Sequence, residues 1–330
     1  MPHRVRRPAR AAALVAVAAA LVACAASPGN TAGQATAGNG FPVTLTDANG
    51  QVTVPAAPVR VAALDESYVD AAIALETPVV AYTDYRAVAG GLPAYLGAGA
   101  AKYASSAVSI GAITKPDLEK LVTLRPDLIV SAQVRHADIH SQLAAIAPTV
   151  FSVTTGPTWK QNIRLLATAL GKTALGEQKI GAYEARAKRV GDAIKAKLGR
   201  TPTISVVRFA GEPTVRVYTP NSFVGIVLAD AGLAQSAASQ TSNPTNIANN
   251  LSQELIPQID ADHIFVASFA DPKGVAAQVQ GTFEANPLWA RLAGPRTTVD
   301  DETWMTAVGL QGAEKILDGL ATAFGVPNQA

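Results

Sequence analysis

A chain of 330 residues with 27 basic and 25 acidic side chains carries a net charge of only +2 at pH 7, and so offers no electrostatic footprint for nucleic acid. One cysteine in the whole chain excludes a disulfide framework and a cysteine-based zinc site. Beyond the first 23 residues no apolar run is long or pure enough to span a bilayer.

The chain opens with His3, Arg4, Arg6, Arg7 and Arg10, followed by the uncharged run AAALVAVAAALVA from Ala11 to Ala23, which is the pattern of a secretory signal. Leu21, Val22, Ala23 and Cys24 then match a lipoprotein signal, with cleavage before Cys24 and a lipid on its sulfur. A plain secretory signal or an ordinary anchor would leave unexplained why the cysteine falls where the apolar run stops. Two or three acyl chains give stable attachment, so the expected location is the outer face of the cytoplasmic membrane. Residues 24–40 lack charge and apolar periodicity and read as a flexible tether. Losing residues 1–23 removes four arginines and leaves 23 basic residues against 25 acidic. The chain beyond the tether is too long for one ordinary core and suits two lobes.

VTLTDANGQVTV predicts a hairpin turning at Ala48, Asn49 and Gly50. RVAAL, PVVAYT, Leu128 to Ser131 and TVFSV read as strands; ESYVDAAIALE, Pro116 to Leu124, HADIHSQLAAIA and TWKQNIRLLATALG read as helices, the last capped by Gly171. This alternation predicts parallel sheet with helical crossovers. From Ala174 to Leu198, apolar residues at Ile180, Tyr183, Ala187, Val190, Ile194 and Leu198 draw one face of a long helix, which Gly199, Arg200, Thr201 and Pro202 end. The alternation restarts with the strands TISVVRF, TVRVYT and DHIFVAS. Helices are expected over FVGIVLADAGL, QELIPQI, Lys273 to Gln280 and Thr306 to Ala323.

Four segments, GAITKPDLEKLVTLRPDLIV, VYTPNSFVGIVLADAGL, SQELIPQIDADHIFV and NPLWARLAGPRTTVDDETWM with GLQGAEKILDGL, resemble in order and spacing the substrate-binding proteins of ABC importers for ferric siderophores, haem and cobalamin. The resemblance implies an α/β protein of two Rossmann-like lobes, residues 41–173 and 200–330, joined by one rigid helix over 174–199, with the ligand between them. It implies that Glu119 and Glu254, one on each lobe, dock onto arginines of the permease. Carboxylates near helix starts are also favourable there without any partner.

Ligand contacts in such folds come from loops after the carboxyl ends of strands. In the first half those loops offer Tyr85, Arg86, Arg135 and His136; in the second, Arg208, Tyr218, Phe269 and Trp304. Arg208 matches the family position that meets an anionic siderophore, where arginine supplies paired donors, although a structural salt bridge would also explain it. Tyr218 and Trp304 could stack on a flat ligand or pack at a lobe edge. His136 and His140 stand four apart around Asp138, but only His263 remains as a further histidine beyond the signal, so a helix-surface role competes with metal binding, and His136 stays a candidate for an anion or haem iron. No metal site and no intrinsic cofactor are expected. Nucleophile-elbow, phosphate-loop and dinucleotide motifs are absent, and Asp300 and Asp301 read as helix caps, so no enzyme is expected. The expected function is a monomeric, membrane-tethered receptor that captures a ferric siderophore for an ABC permease. Haem or a corrinoid is the alternative ligand, and an accessory or sensor lipoprotein the alternative role.

Overall fold

The computed structural model describes residues 40–85 and 91–328; Cys24, most of the tether and Arg86 lie outside them. Strands β1 (Val43–Asp47) and β2 (Gly50–Val54) form the expected hairpin. Asp47 pairs with Gly50, whose φ of 121° suits a residue without a Cβ, and the Asn49 amide donates to Asp47 Oδ1 at 2.7 Å.

The first sheet contains β3 (Val61–Ala63), β4 (Val79–Asp84), β5 (Val108–Ala112), β6 (Leu128–Ala132) and β7 (Thr149–Ser152), all parallel in the order β5-β4-β3-β6-β7. Every residue of β3, β6 and β7 is buried, which is why they read as short continuous apolar runs. The second sheet contains β8 (Thr203–Phe209), β9 (Val215–Tyr218), β10 (Ala234–Gln235), β11 (Ala248–Leu251), β12 (His263–Ser268) and β13 (Arg296–Thr298). Its order is β11-β9-β8-β12-β13, with β10 beside the start of β8. β8, β12 and β13 are parallel, while β9 runs against both β8 and β11.

Between the sheets runs one helix, Thr173–Leu198, of 26 residues and roughly 39 Å. Ile180, Tyr183, Ala187, Val190 and Ile194 form its buried stripe, and Gly199 ends it at φ 70°. This is the expected two-lobed α/β architecture on a helical backbone. The stripe lies in one continuous core that takes Val69, Trp159 and Leu166 from the first lobe and Phe223, Val227 and Leu317 from the second. Polar ties reinforce it: Lys160 donates to Glu184 at 2.9 Å and to Asp230 at 2.8 Å, and the Tyr183 hydroxyl donates to Asp230 at 2.9 Å. At Gly191 the long helix comes so close to the Ala231 carbonyl that a Cβ would lie 1.7 Å from its oxygen. Asp70, fully buried in the helix Glu66–Ala74, accepts from the amides of Gln311 and Gly312 at the start of the C-terminal helix Leu310–Phe324.

Several elements differ from expectation. HADIHSQLAAIA is not one helix but three short pieces, Gln133–His136, Ala137–Ile139 and His140–Ala144, because His136 turns inward with a non-helical backbone, φ −137° and ψ 29°. The last helix starts at Leu310 rather than Thr306, since Glu302–Thr306 is a wide π-type turn in which the Ala307 amide donates to the Glu302 carbonyl at 2.8 Å. The helix expected over Lys273 to Gln280 spans Val275–Glu284. Strands β5, β10, β11 and β13 have no counterpart among the expected strands. Among the described residues no helix is long and apolar enough to cross a membrane.

Candidate functional site

The carboxyl ends of the parallel strands in both sheets open onto one cleft of about 360 Å³. On the first lobe, Asp65 follows β3, Ile113 follows β5, Arg135 follows β6, and Thr154 to Pro157 follow β7. Facing them are Arg208 in β8, Arg216 and Tyr218 in β9, Phe223 at the start of the helix Phe223–Asp230, Ile247 before β11, and Met305 in the wide turn.

Arg208 and Arg216 are direct cross-strand partners. Like charges placed opposite one another destabilise a sheet unless each is compensated, and here each has its own carboxylate. Arg208 donates from Nε and Nη2 to the two oxygens of Asp301, both at 2.6 Å, with both partners largely buried. Its guanidinium carbon also lies 5.5 Å from the ring centre of Phe269. Burial alone would lower its pKa, but Asp301 and the Tyr218 hydroxyl overcome that and hold it above the usual arginine value. Arg216 pairs with Glu212 at the hairpin connecting the two strands. Across the cleft, Arg135 donates from Nε to Asp65 at 2.7 Å, and Asp65 also caps the first helix through the Ser67 amide. Asp301 holds Arg208 along its Nε–Nη2 edge with the Tyr218 hydroxyl as a further partner, and Asp65 holds Arg135 at Nε, so each of these guanidinium groups keeps N–H donors beyond those in its carboxylate pair.

Of the eight residues expected to touch ligand, Arg135, Arg208 and Tyr218 come together in this cleft. Phe269 sits behind Arg208 rather than in the lining. Tyr85 is buried, its hydroxyl donating to the Glu66 carbonyl at 3.3 Å. Trp304 is 4% exposed, with its ring against Phe265 at 4.6 Å. His136 is buried too: Nδ1 meets Ser131 Oγ at 2.7 Å and Nε2 meets the Ile113 carbonyl at 2.6 Å, and burial lowers its pKa. Both ring nitrogens are thus engaged away from the cleft, and His136 is a structural residue that fixes the loops carrying Arg135 and Ile113. Arg86 lies outside the described residues. Glu119 and Glu254 are exposed in the first turns of Leu118–Thr123 and Gln253–Ile259. Among the described residues no group of three or more His, Cys, Asp or Glu side chains could hold a metal ion.

Three participants carry no clear signal in the sequence. Arg216 looks like the outward residue of an alternating strand, and only counting back through the short hairpin connection sets it opposite Arg208. Asp301 looks like a cap, but Asp300 is the cap, accepting from the Thr303 amide at 2.8 Å, while Asp301 turns inward to Arg208. Asp65 shows nothing beyond a helix start.

With this geometry in view, residues 61–296 match the family model described as periplasmic binding protein. The chain belongs to that family. Among curated relatives of this periplasmic binding protein, the "probable siderophore-binding lipoprotein YfiY" of Bacillus subtilis is 36% identical over 233 residues, 66% of this chain and 68% of the relative. The "achromobactin-binding periplasmic protein" of Dickeya dadantii is 30% identical over 66% of this chain and 72% of its own length. Among solved structures, Staphylococcus aureus SirA complexed with staphyloferrin B superimposes with a TM-score of 0.78 at 25% identity, covering 86% of this chain and 99% of that one.

Proposed function

We propose that this protein is the solute-binding component of an ABC importer, capturing a ferric siderophore in the interlobe cleft and delivering it to a permease. The observation that carries this reading is the cross-strand pair Arg208 and Arg216 facing Arg135 over one cleft. Guanidinium edges fixed by internal carboxylates suit the oxygen-rich, anionic face of a ferric chelate and cost little ordering on binding. The protein supplies recognition and handover, and no bond is made or broken.

The remaining assignments run in chain order. Residues 1–23 are the signal, Cys24 carries the lipid, and residues 24–40 tether lobes 41–173 and 200–330, with 174–199 as the helix between them. Glu119 and Glu254 are the contacts to the permease. The receptor works as a monomer.

The test is a titration of the full chain with ferric carboxylate, catecholate and hydroxamate chelates, haem and cobalamin, followed by tryptophan fluorescence. Trp159 is a suitable reporter because its ring meets Phe223, a cleft residue, at 5.6 Å. Saturable binding of one ferric chelate, weakened at least about tenfold by Arg208→Ala, is expected. Tight binding of haem or cobalamin alone would replace the ligand, and silence across the panel would favour an accessory role.

A further inference from the structure

Resting on the reading of the cleft as a ferric-chelate site, two observations narrow the class of chelate. The first is charge. Arg135, Arg208 and Arg216 are each matched within the wall by Asp65, Asp301 and Glu212. Such pairs are close to neutral at a distance, so they recognise oxygen atoms through short-range donor edges and exert little pull on a polyanion. The second is the mouth. Val134 is 58% exposed and Ile247 44% exposed, one from each lobe, and both line the cleft. Beside Val134, whose amide donates to the Val153 carbonyl at 3.2 Å, Val153 is 63% exposed. Isolated surface aliphatics are ordinary, but Val134 and Ile247 line the same cleft as the three guanidinium groups.

We infer that the chelate this cleft takes has low net charge and carries an apolar arm, an alkyl or acyl chain that leaves the iron-binding head and lies across Val134 and Ile247. The head occupies the guanidinium edges. The arm covers aliphatic surface that water otherwise wets, which for two half-exposed side chains corresponds to about tenfold in affinity.

The experiment compares, on the full chain and without a permease, two ferric citrate-derived dihydroxamates that differ only in an added acyl arm, with ferric dicitrate as a highly charged, armless third probe. The armed chelate is expected to bind about tenfold more tightly than its armless counterpart, with ferric dicitrate weaker than both. In a Val134→Ser, Ile247→Ser variant, verified as folded by circular dichroism, the preference for the armed chelate should shrink to less than about threefold. Equal affinity for the two dihydroxamates, or a preference untouched in the variant, overturns the proposal and leaves the receptor reading intact; the rim would then serve the permease. Tightest binding of ferric dicitrate overturns it likewise. Binding of none of the three overturns both this proposal and the reading beneath it.

Discussion

Asp70 and Gln311 lie far apart in the chain, yet the Gln311 amide donates to both oxygens of the Asp70 carboxylate at 3.2 Å. Burial pushes the Asp70 pKa up to about 7 from 3.8, against the opposing pull of the Gln311, Gly312 and Leu310 amides. A carboxyl whose folded pKa is raised stabilises the fold fully below its unfolded pKa, and that contribution is lost as pH rises through about 7. Wild type should therefore lose roughly 2 to 3 kcal/mol more than Asp70→Asn between about pH 5 and about pH 8. Urea unfolding of both proteins at the two pH values measures this, since titrations common to both cancel. Parallel pH dependence of the two would show that Asp70 does not titrate there.

Arg208→Lys keeps the charge but breaks the two-pronged pairing with Asp301. Ferric-chelate affinity should fall about tenfold, and stability by about 1 to 2 kcal/mol, because a buried carboxylate loses one of its two donors. Fluorescence titration and urea unfolding report the two effects separately. A variant that lost stability but bound normally would reduce Arg208 to a structural residue.

Gly191→Ala places a methyl where the Ala231 carbonyl already sits. The long helix must then move off the helix Phe223–Asp230 or unwind locally, at a cost of about 3 kcal/mol or more. Gly181, on the same helix with nothing within 4 Å of its Cβ position, is the control: Gly181→Ala should be neutral or stabilising by up to about 1 kcal/mol. Thermal unfolding of the pair distinguishes close approach from a general effect of glycine in a helix.

Glu119→Ala with Glu254→Ala should leave chelate binding by the isolated protein unchanged within about twofold, since both side chains are exposed helix-start residues that do not line the cleft. Growth on the cognate ferric siderophore under iron limitation should drop. Normal growth of the double variant would remove the docking assignment.

The fold is largely readable from the order of elements because the inner strands are buried on both faces and the long helix carries an unbroken stripe from Ile180 to Ile194. The elements that escape such a reading are short or marginal. β13 has three residues, and β5 mixes Ser109 and Gly111 into a half-exposed run, so neither shows apolar continuity or clean alternation. The site is legible by residue type but not by direction. Arg135 and Arg208 end in the cleft, whereas Tyr85, His136 and Trp304 turn into the protein, where their large rings gain more from packing than from water. Direction in a loop depends on neighbours distant in sequence, as the contact of His136 with the Ile113 carbonyl illustrates.

The shared core around the long helix has a consequence for how a carrier of this build would hand over its cargo. On the proposed importer reading, two halves that share one core and a continuous helix should present nearly the same outer face with the cleft full or empty. Empty copies would then compete with loaded ones for each permease, and the transporter would have to sense the cargo itself rather than a change in the carrier's shape. Throughput would become a matter of stoichiometry: beyond the point where carriers outnumber permeases, making more of this protein should raise capture but slow delivery.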